Sequence, residues 1–283
     1  MNLPPPRATK NDTASDPIQP FAEALRERVP SRSALLAEGK ALTKHRRNKQ
    51  KAACAGLLAV LLAGGLWQLD PAWRSEDVQV AIGQRQQISL EDGSLVVLNS
   101  GSHLRIEKHL RSRQVELVGG EAMFTVVHVD TPFIVRSQGV QVRDIGTVFN
   151  LRSDSRGVDV GVIEGSVEVS NEHTAPRLLQ AGEQLRATAE RVGGIEPANT
   201  DSLTAWQHGK LRFDGALLSD VIGDLQHYRQ ASIRVADGRT GGLRLSGEFD
   251  SEDVEALINM LPRILPVSLQ RGSDGSVLLN STR

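Results

Sequence analysis

The chain of 283 residues has a single cysteine, Cys54, and is poor in recognisable catalytic patterns. A disulfide framework is thereby excluded, as is a metal site built on several thiolates. The seven histidines form no HExxH pair, and the sequence has neither a Gly-rich phosphate loop nor a Gly-x-Ser-x-Gly elbow. We therefore predict no metal, no cofactor and no enzyme. A hydrolase is the alternative, although no triad or carboxylate pair supports it.

Charge is missing over one long stretch. Residues 52–69 contain no Asp, Glu, Lys or Arg, and a basic cluster at residues 44–51 directly precedes them. As a helix this stretch is ~27 Å long, close to the ~30 Å hydrocarbon core of a bilayer. Trp67 and Trp73 are placed to lie at the membrane–water interface at the C-terminal end of this stretch, where tryptophan side chains are enriched. Because basic flanks stay on the cytoplasmic side, we expect a transmembrane helix at 52–69 with residues 1–51 inside the cell.

The overall charge of −1 hides an asymmetry between the two sides of this segment. Residues 1–51 carry a net charge of +6 and residues 70–283 carry −7. A basic tail is able to bind an anionic lipid surface or nucleic acid. Its positive charge is equally well explained by the orientation of the membrane span alone, because positive flanks stay in the cytoplasm. We predict no direct contact with nucleic acid.

Three other export signals share features with this segment. A cleaved signal peptide is disfavoured because about 50 residues precede the apolar stretch, whereas most signals are roughly 15–30 residues in total. Lipidation at Cys54 is rejected because its signal places the apolar region before the cysteine, where Lys51 stands. Arg46-Arg47 is a twin-arginine pair, but residues 48–50 fit that signal poorly. An uncleaved signal anchor is the preferred interpretation.

The N-terminal tail contains apolar side chains but is too short to form a hydrophobic core that would bury them. Residues 1–20 are rich in Pro, Thr and Asp and are predicted to be disordered. Short helices are predicted at 21–29 and 34–44, separated by Pro30. Two such helices cannot form a core alone, which leaves open either a flexible stalk or folding on a partner. The candidate partner-binding residues are Phe21, Leu25, Leu35 and Leu36.

Residues 78–192 alternate apolar and polar side chains with a period of two, and Gly, Asp or Asn turns interrupt the runs. About ten strands and no helix are predicted, arranged as an antiparallel sandwich, roll or solenoid. Residues 206–283 then show strand–helix–strand twice, with Asp214 and Asp250 as expected helix caps, which predicts a small α+β module. Residues 193–205 are interpreted as a linker. The fold class is therefore mainly β, with one transmembrane helix and a small α+β module.

Six segments of the β region occur in an order and spacing that resemble one family. They are residues 90–102 (LEDGSLVVLNSGS), 115–126 (VELVGGEAMFTV), 131–135 (TPFIV), 144–151 (DIGTVFNL), 160–169 (VGVIEGSVEV) and 179–184 (LQAGEQ). Together they resemble the periplasmic domain of the FecR family of transmembrane anti-sigma regulators. Residues 206–213 (WQHGKLRF) and 217–228 (LLSDVIGDLQHY) resemble the C-terminal module of that family, which is similar to the short N-terminal domains of secretins and TonB-dependent receptors.

The resemblance implies a partner for each part of the chain. Residues 1–51 would bind an extracytoplasmic-function sigma factor in the cytoplasm. The C-terminal module, in the periplasm, would contact the signalling domain of a TonB-dependent outer-membrane receptor, typically one for iron-siderophore uptake, and membrane proteases would release the tail. The chain would then be a single-pass protein of the bacterial inner membrane. The alternative is a membrane-anchored scaffold that docks a receptor or secretin without binding a sigma factor.

The resemblance also singles out the Gly146–Thr147 bond, because some family members cleave themselves at a Gly-Thr bond of this motif by an N-to-O acyl shift. The residue types suit that chemistry, since a Thr hydroxyl is a nucleophile adjacent to its own scissile carbonyl and Gly tolerates strained backbone. The structural alternative is a glycine at a strand start, followed by a β-branched residue.

Overall fold

The computed structural model describes Phe21, residues 31–144 and residues 146–282. By its internal contacts the chain divides into two units, Met1–Leu69 and Asp70–Arg283. Phe21 is helical, and the rest of the predicted helix at 21–29 lies outside the described residues.

The first unit contains one continuous helix, α1 (Arg32–Leu69), of 38 residues. The separate helices predicted at 34–44 and 52–69 are parts of it, because the basic residues between them include no Gly or Pro to end the helix. Within α1, Lys51–Leu69 is the one stretch of the described residues long and apolar enough to cross a membrane, and its side chains are exposed.

The second unit begins with thirteen strands that we call the β domain. They are β1 (Arg74–Gln79), β2 (Gln86–Ser89), β3 (Leu95–Leu98), β4 (His103–Lys108), β5 (Arg113–Thr125), β6 (Phe133–Ser137), β7 (Val140–Asp144), β8 (Val148–Asp154), β9 (Gly157–Glu164), β10 (Ser166–Asn171), β11 (Arg177–Gln180), β12 (Glu183–Ala187) and β13 (Glu196–Pro197). The predicted mainly β class is confirmed.

Strand β5 organises this sheet. Its first half pairs with β4 and with β6, and its second half pairs with β3 and β8. The period-two runs at 114–118 and 124–127 predict two separate strands, but the structure has one strand, which continues through Gly119–Gly120 and ends at Thr125. The β5–β6 pairing is parallel, whereas an all-antiparallel arrangement was expected. The sheet curls around a core whose largest members include Phe124, Phe133 and Phe149.

The remaining elements form the C-terminal module. They are α2 (Thr200–Ala205), a 3₁₀ turn (Trp206–His208), β14 (Lys210–Leu217), α3 (Leu218–Gln226), β15 (Ile233–Val235), α4 (Gly238–Gly241), β16 (Arg244–Asp250), α5 (Val254–Ile264), β17 (Val267–Arg271) and β18 (Val277–Ser281). Strands β14 and β16 pair with each other, and β18 lies between β15 and β17. A second hydrophobic core fills this module, and the apolar stripes of α3 and α5 are buried in it.

Local details of the C-terminal module differ from the sequence interpretation. Asp214 was expected to cap a helix but lies inside β14, because strand pairing with β16 continues to Leu217 before α3 begins. Asp250 ends β16, and the cap of α5 is Asp253, whose side chain accepts a hydrogen bond from the Ala256 amide. The segment interpreted as a linker contains β13 and α2.

Candidate functional site

The Gly146–Thr147 segment lies in the turn between β7 and β8, and Ile145 beside it is outside the described residues. Gly146 has φ +93°, a left-handed conformation that favours glycine. Its amide donates a hydrogen bond of 2.7 Å to Asp144 Oδ2. The carboxylate of Asp144 thereby fixes the backbone immediately before the candidate scissile bond.

Two close approaches make glycine necessary around this bond. A Cβ at position 146 would lie 2.8 Å from Nδ1 of His128. A Cβ at Gly165 would lie 2.7 Å from the carbonyl oxygen of Gly146 and 2.7 Å from Cγ2 of Thr147. All three distances are shorter than the normal contact distance of a carbon atom, so the peptide is enclosed on two sides by residues distant in sequence.

Thr147 is 3% exposed, and its hydroxyl oxygen has no hydrogen-bond partner among the described residues. Its carbonyl oxygen accepts a hydrogen bond of 3.0 Å from the Val126 amide, which holds the backbone in place. Leaving a buried hydroxyl without a partner disfavours the folded state by about 1–3 kcal/mol. The hydroxyl is therefore neither solvated nor committed to another group, and it belongs to the residue next to the Gly146 carbonyl.

A surface cavity of about 360 Å³ adjoins Gly146. Most of the side chains that line it are polar or charged, and they include Arg113, His128, Arg143, Asp144 and Glu168. Such a cavity admits water to the neighbourhood of the Gly146–Thr147 bond.

The candidate partner-binding residues are in the other unit of the chain. Leu35 and Leu36 lie near the start of α1 and are 52% and 58% exposed, and Phe21 is 69% exposed. Leu25 lies outside the described residues. The exposed leucines leave an apolar surface available on the helix.

The structure shows a polar cluster that the sequence interpretation missed. It is centred on Glu121 of β5, whose two carboxylate oxygens accept hydrogen bonds of 2.8 Å from the side-chain amides of Asn99 and Asn150. The buried indole of Trp206 donates to Asn150 Oδ1 at 3.3 Å. The turn at Asn99 and strands β5 and β8 of the β domain are thereby joined to the start of the C-terminal module. We call this group the junction cluster, and it also includes Tyr228.

Tyr228, just after α3, completes the junction cluster. Its hydroxyl donates a hydrogen bond to Asn99 Oδ1 at 3.0 Å. The same hydroxyl oxygen accepts a hydrogen bond from Asn99 Nδ2 at 2.7 Å. Burial, followed by the negative charge of Glu121, raises the pKa of the Tyr228 phenol well above its usual value. The phenol therefore stays neutral and acts as a hydrogen-bonding group between the two parts of the unit.

His227 sits beside this cluster. Its carbonyl oxygen accepts a hydrogen bond of 2.6 Å from the Ser100 hydroxyl. Its ring Nε2 is buried and has no hydrogen-bond partner within the part of the chain that the structure describes. Burial is the main cause that lowers the pKa of the His227 imidazole. The negative charge of Glu121 acts in the opposite direction and raises this pKa, but burial has the larger effect. The ring is therefore neutral at pH 7.

Ion pairs connect the same two parts of the unit along α3. Arg152 of β8 pairs with Asp224, and Arg156 pairs with Asp220 at 2.5 Å. Arg156 also donates to the carbonyl oxygen of Ser219 at 3.2 Å. These contacts fix helix α3 against the β8–β9 hairpin.

The residues of the junction cluster belong to motifs that the sequence analysis singled out, but the sequence did not show that these motifs meet. Asn99, Glu121 and Asn150 come from three of the quoted motifs of the β domain, and Trp206 and Tyr228 come from the two motifs of the C-terminal module. Asn99 is one of the Asn residues at the turns that interrupt the period-two runs, a role that explains its backbone but not its buried side chain. Among the described residues, no group of three or more His, Cys, Asp or Glu side chains is placed to hold a metal ion.

Comparison with known proteins agrees with this architecture. Residues 76–168 match the family model described as FecR protein. Two crystal structures of a candidate anti-sigma factor from Parabacteroides distasonis ATCC 8503, at 1.65 Å and 2.50 Å resolution, are similar to the chain. Their TM-scores are 0.64 and 0.63, with 28% sequence identity, and each match covers 74% of this chain and 100% of the solved chain. No curated protein matches the chain.

Proposed function

Residues 76–168 of this chain are a FecR domain, and from that premise we propose that the chain is a membrane-anchored regulator of a sigma factor. The observation that carries this proposal is the FecR domain placed directly after an apolar helix long enough to cross a membrane. The similarity to a candidate anti-sigma factor over the whole length of the solved chain supports the same role.

In this proposal the chain spans the bacterial inner membrane once. The N-terminal part of α1 lies in the cytoplasm and the second unit lies in the periplasm. The basic residues before Ala52 support that orientation, because positive flanks stay on the cytoplasmic side. Leu35 and Leu36, with Phe21 and Leu25 before them, form the binding surface for an extracytoplasmic-function sigma factor. The exposure of Phe21, Leu35 and Leu36 supports this assignment, since an apolar helix face commonly binds in a groove of a partner protein.

The C-terminal module is proposed to receive the signal from a TonB-dependent outer-membrane receptor. Among the strands that the structure describes, β17 of the three-stranded sheet pairs with β18 alone, which supports strand addition by a partner at its other edge. Membrane proteases would then release the cytoplasmic tail with its sigma factor. The alternative is a scaffold that docks a receptor or secretin while its tail only anchors the chain.

Capture of purified sigma factors by the full-length protein in lipid nanodiscs tests the regulator proposal. We expect one extracytoplasmic-function sigma factor of the host to bind, and Leu35→Asp to abolish binding because it places a charge in the apolar contact. Ser33→Asp adds the same charge to an exposed polar position two residues earlier and is the matched control. Failure of every sigma factor to bind would favour the scaffold, as would equal binding by both variants.

We also propose that the Gly146–Thr147 bond cleaves itself. The Thr147 hydroxyl attacks the Gly146 carbonyl carbon, the C–N bond breaks, and the hydroxyl proton passes to the departing amine, which leaves an ester. Water then hydrolyses the ester to a Gly146 carboxylate and restores the Thr147 hydroxyl. The unpartnered hydroxyl, the Asp144-fixed turn and the adjoining cavity support this sequence of steps.

Mass spectrometry of the purified protein tests the cleavage. We expect two fragments that separate between Gly146 and Thr147. Thr147→Ala should leave the chain intact, while Thr147→Ser retains a hydroxyl and should still be cleaved. Two fragments from the Thr147→Ala protein would contradict the mechanism, as would an intact wild-type chain.

A further inference from the structure

Asp70, the first residue of the second unit, is tied to a loop about forty residues later in the chain. Its Oδ1 accepts hydrogen bonds from the amides of Leu110 and Arg111 at 3.0 and 3.1 Å, and its Oδ2 accepts one from the Ser112 hydroxyl at 2.7 Å. The His109 ring contacts the Asp70 carbonyl oxygen. The loop between β4 and β5 is therefore fixed at the point where the folded unit begins.

The Asp70 carboxylate keeps its charge at neutral pH. Burial by itself raises the pKa of this carboxyl, but the hydrogen bonds from Ser112 and the two amides, together with His109, bring the pKa below its usual value. Asp70 also has φ +42°, an uncommon conformation for a residue other than glycine. The clamp between Asp70 and the loop thus holds the backbone in a conformation that it would otherwise rarely adopt.

Two large apolar side chains are exposed beside this clamp. Leu110, at the tip of the β4–β5 loop, is 79% exposed, and Trp73 is 65% exposed. The Trp73 amide donates to the Lys108 carbonyl oxygen, which holds this segment against the end of β4. Arg74 and Arg111, each next to one of these side chains, are exposed as well.

We propose that Trp73 and Leu110 form a contact with the bilayer surface, seated in the interfacial layer of the leaflet from which Asp70 emerges. This inference rests on the proposed membrane span, because it takes the position of the bilayer from the end of that span at Leu69. The contact would hold the β domain against the membrane in one orientation, so that the domain does not swing freely on its tether.

Chain length favours lipid as the occupant. Trp73 follows the apolar span by four residues, which reach at most ~14 Å when fully extended. The interfacial layer on each side of the hydrocarbon core is roughly 5–8 Å thick. Leu110 is no farther away along the protein, since its amide bonds directly to Asp70. Both side chains therefore lie within reach of that layer.

The chemistry of the patch agrees with this placement. Tryptophan is enriched at membrane interfaces, where its ring lies among the headgroups. An exposed leucine on a loop tip buries apolar area on insertion, and arginines at its sides can contact lipid phosphates. A protein partner would need a larger continuous apolar surface than these two side chains provide.

Depth-dependent quenching in nanodiscs tests the contact with the full-length protein. A fluorescent NBD label is placed on a single cysteine, and the bilayer is phosphatidylethanolamine and phosphatidylglycerol with or without doxyl-labelled lipid. The wild-type protein carries the label on Cys54, inside the span. Two variants combine Cys54→Ala with either Leu110→Cys or Leu178→Cys. Leu178, which is 51% exposed, lies on β11 at the opposite edge of the sheet from β1 and is the matched control.

We expect doxyl lipid to quench the label at Cys54 and at Leu110→Cys, and to leave the label at Leu178→Cys unquenched. Adding Asp70→Ala to the Leu110→Cys variant should reduce its quenching, because the loop is released from the span end. An unchanged circular dichroism spectrum confirms that the variants are folded.

Three results would overturn the inference, and they separate it from the proposed function. Quenching at Cys54 without quenching at Leu110→Cys refutes the surface contact and leaves the span intact. No quenching at Cys54 refutes the span and the contact together. Equal quenching at Leu110→Cys and Leu178→Cys shows that the bilayer contacts the domain without the proposed orientation.

Discussion

The junction cluster predicts that Tyr228 and Asn99 contribute to stability as a coupled pair. Tyr228→Phe removes only the hydroxyl oxygen that contacts Asn99 at 2.7 and 3.0 Å. After that change Asn99 still donates to Glu121 and still accepts from the Ser100 amide. The loss therefore covers the hydrogen bonds of one buried hydroxyl, with Asn99 and with Ser251, which gives about 1–2 kcal/mol of unfolding free energy.

Asn99→Ala removes more. It deletes the contact with Tyr228 and also the hydrogen bond to the Glu121 carboxylate, and hydrogen bonds to charged groups contribute about 1.5–3 kcal/mol. We therefore expect a loss of about 3 kcal/mol. In the double variant the contact between Tyr228 and Asn99 can be lost only once. The loss of unfolding free energy in the double variant should therefore be about 1 kcal/mol smaller than the sum of the two single losses, a coupling within the range for residues in contact.

Thermal unfolding of the full-length protein in detergent, followed by circular dichroism, measures these effects. For a unit of this size each kcal/mol lowers the melting temperature by roughly 2–4 °C, so Tyr228→Phe should lower it by about 2–8 °C. Asn259→Ala, which changes an exposed asparagine on α5, is the control and should leave the temperature nearly unchanged. Additive losses in the double variant would refute the coupling, as would a Tyr228→Phe protein that melts like the wild type.

Two further predictions concern close packing and pH. Gly165→Ala and Gly182→Ala both place a side chain at positive φ, but only the first meets neighbouring atoms, at 2.7 Å from the Gly146 carbonyl oxygen. The Gly165→Ala protein should therefore melt at the lower temperature, and equal melting would contradict the close approach. The lowered pKa of His227 means that the unfolded chain takes up its proton first as pH falls. Stability should thus be level above about pH 6.5 and decline below it, by at most ~1.4 kcal/mol per pH unit. His227→Gln should flatten this decline in melting temperature between pH 8 and 5, and an identical profile would show that other groups cause it.

Features that depend on neighbouring residues could be predicted from the sequence. The uncharged stretch at 52–69 behind basic residues specifies an apolar helix, because length and charge alone decide whether a helix can cross a bilayer. The period-two runs specify strands, and the stripes of α3 and α5 specify which helix faces are buried, because side-chain direction repeats locally along a strand or helix. Ordered motifs also carried the resemblance to the FecR family, which the match over residues 76–168 confirms.

Features that depend on distant residues required the tertiary structure. No local pattern shows that β5 runs on through Gly119–Gly120, or that it pairs in parallel with β6, because strand pairing is chosen by the burial of the whole sheet. The same holds for Gly165, whose missing side chain makes room for a peptide almost twenty residues earlier.

The junction cluster shows this division most clearly. The sequence determined that Asn99, Glu121, Asn150, Trp206 and Tyr228 are present, and it placed each of them in a recognisable local motif. Only the fold decided that residues up to 129 positions apart share one network of hydrogen bonds. The physical reason is that a buried polar group must find a partner wherever packing places one, and packing is a property of the whole chain.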